Sequence, residues 1–330
     1  MLVALYEAGC DAAQAFALPG RKEPPSVTIM SGNSTATFYL PDGLRESAEA
    51  GEHNFIGKIE AVVRAADMDV TFRPPSQARA GDKGFSLFHM QNPLNDRGVT
   101  IRRAYFYPFW QIERSNQRWD WDVARARFQV QPEDRQDAQN FYKFWQKRLF
   151  QEPLRDVGRD GFVYVPLQGR LLEQRSFQEC SPMRMLQHVL DSDPAKRVIA
   201  ALHPKEHYGP DEISALEALE SKVDRLEIRL GDMEPLLAHC DYIVTQNSGV
   251  AFSGFFFGKP SVLFAKIDFH HITANVSDLG VQGAFDAIGD HDPDYAGYVW
   301  WFLQQMSVNA GRPEAEDKIR NRLSALGWPV

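Results

Sequence analysis

Three short polar stretches in the second half of this chain carry residue types that can hold an anion or move a proton. Gln168 follows the apolar run Phe162 to Pro166, His203-Pro204 follows Lys196 to Leu202, and Asn247-Ser248-Gly249 follows Tyr242 to Thr245. A helix opening at Ser248 turns free backbone N–H groups and the positive end of its dipole towards that stretch, which favours a phosphate. An ordinary helix cap is the plain alternative, because Asn and Ser are preferred there anyway. The proline after His203 holds it off helical geometry, and an imidazole so placed can donate to a phosphate or act as an acid. For His203 the plain alternative is a hydrogen-bonded turn residue. Convergence favours the ligand reading: the ends of parallel strands face one crevice.

The elements that must position these residues repeat. Tyr242 to Thr245 reads as a strand, Gln246 to Gly249 as a turn, Val250 to Phe257 as a helix, Gly258-Lys259-Pro260 as a stop, and Ser261 to Phe264 as a strand. Two strands this close, joined by a helix, make a βαβ unit and hence a parallel sheet. Upstream come the strand Phe162 to Pro166, a helix opened by Ser181-Pro182, the strand Lys196 to Leu202, a helix from Asp211 to Leu226, the strand Leu226 to Leu230 and a helix through Leu236 and Leu237. This is a doubly wound α/β pattern. Tyr295 to Val308 and Pro313 to Leu326 read as two closing helices.

The first half reads as a smaller α/β domain. A short helix fits before Ser26, and Val27 to Met30 with Thr35 to Leu40 fit a hairpin turning at Ser31 to Ser34. Pro41-Asp-Gly43 reads as a second turn, Phe55, Ile56, Ile59, Val62 and Val63 as a helix face, and Asp69 to Phe72 and Phe85 to Met90 as strands. Asp134 to Phe150 reads as a helix with Phe141, Phe144, Trp145 and Leu149 on one side. The polar stretch Gln151 to Gly161 then divides the chain into domains 1–155 and 156–330.

Between these elements, Ala104 to Glu113 and Arg114 to Asp122 crowd aromatic rings beside arginines and carboxylates. That mixture suits either a platform for sugar rings or a core cluster. Asp67-Met-Asp69, Asp120-Trp-Asp122 and Asp191-Ser-Asp193 each spell a pair that can hold a metal–diphosphate complex, but two carboxylates alone do not make a metal site, and no metal is expected. His270 and His271 are adjacent and should point apart on a strand. His203 and His207 lack the His-Glu-x-x-His context of a zinc site. No Gly-x-Ser-x-Gly elbow is present, which argues against an α/β hydrolase.

The net charge of −8 argues against nucleic acid as the main partner. Three widely spaced cysteines give no disulfide framework and suit a reducing, cytoplasmic setting. No apolar run is long enough to span a bilayer. Met1 to Leu18 holds Glu7 and Asp11 without an early Lys or Arg, unlike a secretory signal.

The ordered elements Pro166-Leu-Gln168, Leu202-His-Pro204 and Asp241-Tyr-Ile-Val-Thr-Gln-Asn-Ser248, with Gly258-Lys-Pro260, resemble the bacterial capsular polysaccharide biosynthesis proteins. Those are similar to GT-B glycosyltransferases, including Kdo transferases and bacterial sialyltransferases. The resemblance implies two Rossmann-like domains across a cleft, the first for the acceptor and the second for the nucleotide, with the final helices crossing back. It maps nucleotide binding onto His203, Pro204 and Ser248, helped by Asn247; Gln168 and Gly249 complete the converging strand ends.

The function so implied is metal-independent transfer of a sugar from a nucleotide-activated donor, a CMP-keto-sugar among the candidates, to a surface-glycan or glycolipid acceptor. No cofactor beyond the nucleotide sugar is expected, and peripheral contact with the inner membrane is compatible with it. His203 would bind or protonate the leaving phosphate, and Glu113, Asp96 and Asp120 are candidates for the base. The family often carries an acidic residue soon after the Pro-Leu-Gln strand, where this chain has Gly169-Arg-Leu-Leu-Glu-Gln-Arg175. That departure motivates an alternative: a non-catalytic glycan-binding component of polysaccharide assembly or export.

Overall fold

A computed structural model describes residues 34–150 and 155–330. Its first part runs β1 (Thr35–Tyr39), α1 (Asp42–Glu49), α2 (Asn54–Arg64), β2 (Asp69–Arg73), β3 (Phe85–His89), β4 (Gly98–Arg103), β5 (Phe109–Glu113), α3 (Asp122–Arg125) and α4 (Arg135–Phe150). The second part runs β6 (Phe162–Pro166), α5 (Pro182–Ser192), β7 (Arg197–Leu202), α6 (Pro210–Glu220), β8 (Leu226–Leu230), α7 (Met233–His239), β9 (Tyr242–Thr245), α8 (Gly249–Phe255), β10 (Ser261–Leu263), β11 (Ala274–Asn275) and α9 (Val276–Ile288). Last come α10 (Tyr295–Trp300), a π-helical turn over Trp301–Gln305, β12 (Val308–Asn309) and α11 (Ala315–Ala325).

The second sheet is parallel throughout, in the order β8-β7-β6-β9-β10-β11. Every residue of β6 and of β9 is buried, because helices cover both faces and such strands read as unbroken apolar runs. On one face lie α5, α6 and α9, with Leu186, Leu216 and Phe285 in the core. On the other, α7, α8 and α10 pack Leu237, Phe252 and Val299. Ser181 accepts from the Arg184 N–H at 3.3 Å with Pro182 beside it, as the sequence suggests.

The first sheet has the order β2-β1-β3-β4-β5-β12. β1 pairs in parallel with both β2 and β3, so it is a central strand and not half of a hairpin. The expected partner Val27 to Met30, the helix before Ser26 and the start of the Gln151 linker lie outside the described residues. Pro41 caps α1 where a turn was expected. β5 runs antiparallel to β4, and β12, from the far end of the chain, pairs with β5. α2 and α11 cover this sheet, burying Phe55, Ile59, Ile319 and Leu323.

The two sheets belong to one compact unit, Ser34–Val330. Two segments exchange sides. α4 packs on the second part, where Tyr142 Oη donates to the Phe255 carbonyl at 2.6 Å and Gln146 Nε2 to that of Phe256 at 2.7 Å. α11 returns to the first, where Arg322 donates to Glu113 at 2.6 Å and to the Ile112 carbonyl at 2.7 Å.

The histidine pair joins the parts as well. His270 and His271 lie in a 3-10 turn rather than on a strand, so their rings stack at 4.3 Å instead of pointing apart. His270 Nε2 contacts the Ala124 carbonyl at 2.9 Å and His271 Nε2 that of Ala126 at 3.0 Å, while His271 Nδ1 meets Tyr298 Oη at 2.9 Å. Burial, then the neighbouring His270, lowers the His271 pKa to about 4. The unfolded chain takes up this proton first, near pH ~6.5, so stability is complete above that pH and declines as the pH falls towards 4. Discounted for partial exposure, the loss should reach about 1–2 kcal/mol. Urea unfolding at pH 7.5 and pH 5 checks it: the decline should flatten in His271→Asn, and an equal decline in that variant would disprove the assignment.

Candidate functional site

The sheet order leaves a crevice where β6 and β9 lie side by side and the chain winds away from them in opposite directions. A cavity of about 870 Å³ opens there, and Gln168, His203, Pro204, Asn247, Ser248 and Gly249 all line it. Thr245 Oγ1 donates to the Pro166 carbonyl at 3.1 Å and ties the two strand ends together. Gln246 Nε2 donates to the Cys180 carbonyl at 3.0 Å, fixing the turn from below.

Ser248 Oγ accepts from the Val250 N–H at 3.3 Å, so Ser248 is a helix cap as well as a cavity residue. A Cβ on Gly249 would stand 3.2 Å from Tyr105 Cδ1, so glycine there lets the start of α8 lie against that ring. His203 Nδ1 accepts from the Lys205 N–H at 3.2 Å, which makes Nε2 the protonated nitrogen of the neutral ring. The His203 N–H donates to Tyr208 Oη at 2.8 Å, and that hydroxyl reaches the Leu167 carbonyl at 3.4 Å.

The first part of the chain supplies the facing wall. Arg102 at the end of β4, with Asn116, Arg118 and Trp119 after β5, lines the same cavity. Arg118 donates to Asp268 through Nη2 at 3.0 Å and Nε at 3.4 Å, and its guanidinium lies 4.6 Å over the Tyr105 ring. Tyr105 Oη also donates to Asp268, whose carboxylate is fully buried. Burial pushes the Asp268 carboxyl above the usual range, and Arg118 pulls it back. Arg102 forms no ion pair among the described residues. Its burial, and then the charge of Arg118, lower its pKa to about 10, so it stays charged at neutral pH.

From the second part, Arg175 stands 4.9 Å over Phe177, and Phe177 stacks on Trp119 at 5.1 Å, joining the walls. Arg175 Nε and Nη2, Gln168 Oε1 and Asn116 Oδ1 are buried without a hydrogen-bond partner among the described residues. Buried polar atoms are nearly always paired, so these four stand out beside the cavity. The site therefore combines three guanidinium groups, an imidazole N–H and a capped helix start in one concave space. Such an arrangement can hold a phosphate-bearing ligand and stabilise negative charge on it.

The base candidates fall elsewhere. None of Glu113, Asp96 and Asp120 lines this cavity. Because β5 runs antiparallel, Glu113 sits opposite Thr100 rather than beside Arg103 at the strand end. There it is buried against Arg322, in a smaller depression shared with Asp120 and Asp122. Burial raises the Glu113 pKa to about 7, and the charge of Arg322 offsets only part of this. Asp120 pairs with Arg125 at 3.5 Å, and Asp96 lies in the exposed loop before β4. The carboxylates that do line the large cavity are Glu206 and Asp232. Asp232 has φ 59° and makes no side-chain capping bond.

Sequence reasoning missed Arg102, Arg118, Arg175 and Asp268. Arg102-Arg103 had a signal, since two charges close an otherwise apolar strand. Asp268, alone between Ile267 and Phe269, had none. The aromatic stretch divides between both readings. Tyr105, Phe106 and Phe109 pack in one core and Trp110 in the other, while Trp119 lines the cavity.

No family model matches the chain, and no curated protein matches it. Among solved structures, it is similar to the beta Kdo 2,7 transferase of Thermosulfurimonas dismutans KpsC at 12% identity and a TM-score of 0.52, over 90% of this chain and 100% of that one. The beta Kdo 2,4 transferase of the same organism's KpsC matches at 11% identity and a TM-score of 0.47, over 80% of this chain and 88% of that one. At such identity the first likeness is one of fold. The chain thus has a GT-B-like α/β fold, two Rossmann-like sheets bordering one cavity, with its last helix returned to the first sheet.

Proposed function

We propose that the chain is a glycosyltransferase whose nucleotide-activated donor binds in the cavity at the strand ends. The observation that carries this reading is the facing of Arg102 and Arg118 with Arg175, His203 and Ser248 across one concave space. The fold shared with a Kdo transferase supports it, and a CMP-activated keto-sugar is the donor this reading favours. Transfer proceeds without a metal. An acceptor hydroxyl on a surface glycan or glycolipid forms a bond to the anomeric carbon as the bond from that carbon to the phosphate oxygen breaks. The electron pair goes to the phosphate, where the guanidinium groups and the His203 Nε2–H stabilise it. The hydroxyl proton goes to a carboxylate, and Glu206 and Asp232 take the place of the three carboxylates considered above. Trp119, backed by Phe177, offers a ring face to the base or the sugar.

Calorimetric titration with CMP, UDP and GDP tests the reading. One of them should bind with a Kd of about 10 μM–1 mM. His203→Ala or Arg102→Ala should weaken it about tenfold, the worth of one charge-assisted hydrogen bond. No binding at millimolar nucleotide would refute the donor site. Glu206→Gln and Asp232→Asn then separate the two carboxylates: the base variant should keep nucleotide binding and lose turnover.

A further inference from the structure

A second cavity, of about 800 Å³, shares no lining residue with the first. It lies between α4, the Tyr107-Pro108 turn, the end of α10 and the segment after β12. Two rings stand open in it: Phe144 is 57% exposed and Tyr107 53%. Trp145 forms a rigid wall beside them, itself buried and packed edge-on by Phe109 at 4.9 Å and Phe144 at 5.5 Å. The helix face read from the sequence therefore splits, with Trp145 turned into the core and Phe144 left to the cavity.

The polar groups around these rings have unused capacity. Asp137, Arg148 and Arg312 line the cavity and form no ion pair among the described residues. Arg148 lies 5.7 Å over the Trp145 ring, which holds its guanidinium in place. Asn140 accepts from Gln136 at 3.1 Å through Oδ1, and its amide N–H groups donate to no side chain or carbonyl among the described residues.

Open ring faces bordered by planar donors and acceptors match the chemistry of a sugar ring, which stacks through its C–H face and hydrogen-bonds at its edge. Two guanidinium groups against one carboxylate favour a saccharide that carries negative charge. A concave site containing Asp137 is poorly matched to a flat anionic lipid surface. We propose that this cavity is a docking site for an acidic oligosaccharide, distinct from the nucleotide cavity and independent of the reading given to it.

Saturation-transfer NMR with hexagalacturonate as probe and maltohexaose as the neutral comparison tests the site. Transfer to hexagalacturonate should be clear, and weaker to maltohexaose. The double variant Tyr107→Ala with Phe144→Ala should raise the Kd at least about tenfold, and so should Arg148→Ala with Arg312→Ala. Both pairs are on the surface of the cavity, so an unchanged Tm verifies the fold. No transfer at about 10 mM probe, or equal affinity in either double variant, overturns the proposal. It is also overturned if the aromatic pair instead abolishes co-flotation with phosphatidylglycerol vesicles, or changes the oligomeric state by light scattering, while saccharide binding stays as it was.

Discussion

Asp268→Ala should destabilise the protein by about 3–5 kcal/mol, because it leaves a largely buried cation without its partner. Asp268 is fully buried, accepts two bonds from Arg118 and one from Tyr105, and joins the second part of the chain to the first. Its loss frees the Arg118 guanidinium beside Arg102, so two like charges remain without a carboxylate between them. The same variant should weaken nucleotide binding, since Arg118 then samples several positions and must be ordered by the ligand. Asp268→Asn keeps the shape and one acceptor, and should lie between alanine and the native protein. Urea unfolding gives the stability and calorimetry the binding. A native-like midpoint for Asp268→Ala would show that the pair contributes little. Normal nucleotide affinity in a destabilised Asp268→Ala would separate Arg118 from the ligand.

The second large effect is expected at Lys259, in the Gly258-Lys259-Pro260 stretch read from the sequence as a stop between helix and strand. Lys259 is only 2% exposed, and its Nζ donates to the carbonyls of Gly158 and Cys240, the latter at 2.8 Å. Burial lowers its pKa, yet the two carbonyl dipoles still suit an ammonium group. Gly258, at φ 63°, makes the left-handed turn that brings Lys259 beneath the sheet. Lys259→Met fills the space but leaves both carbonyls without a donor, and should cost about 3 kcal/mol. The Tm should fall by roughly 5–10 °C. Lys259 does not line the cavity at the strand ends, so the folded variant should keep whatever nucleotide affinity the native protein has. A large change in affinity with an unchanged Tm would reverse this assignment and give Lys259 a place at the ligand.

Much of the second sheet was legible from residue pattern. Strands such as Phe162 to Pro166 and Tyr242 to Thr245 are covered on both faces, so they read as short apolar runs closed by Gly, Pro or small polar residues. The short βαβ link through α8 made the parallel direction legible too. β4 and β5 were missed because their buried positions include Thr100, Gln111 and Glu113. Gln111 and Glu113 are buried with partners remote in sequence. Gln111 Nε2 donates to Ser307 at 3.0 Å, and Glu113 meets Arg322 at 2.6 Å. No local pattern records a partner so distant in sequence.

By itself, then, the sequence determined the doubly wound order and the polar residues at its strand ends, because backbone direction and side-chain period are local properties. It also determined that Gln168, His203 and Ser248 should share a crevice. Only the tertiary structure decided what faces them. Arg118 is held opposite them by Asp268 and Tyr105, and the antiparallel turn of β5 carries Glu113 away from the cavity. Long-range packing of buried charges settles both, and charge placement has no period along a chain.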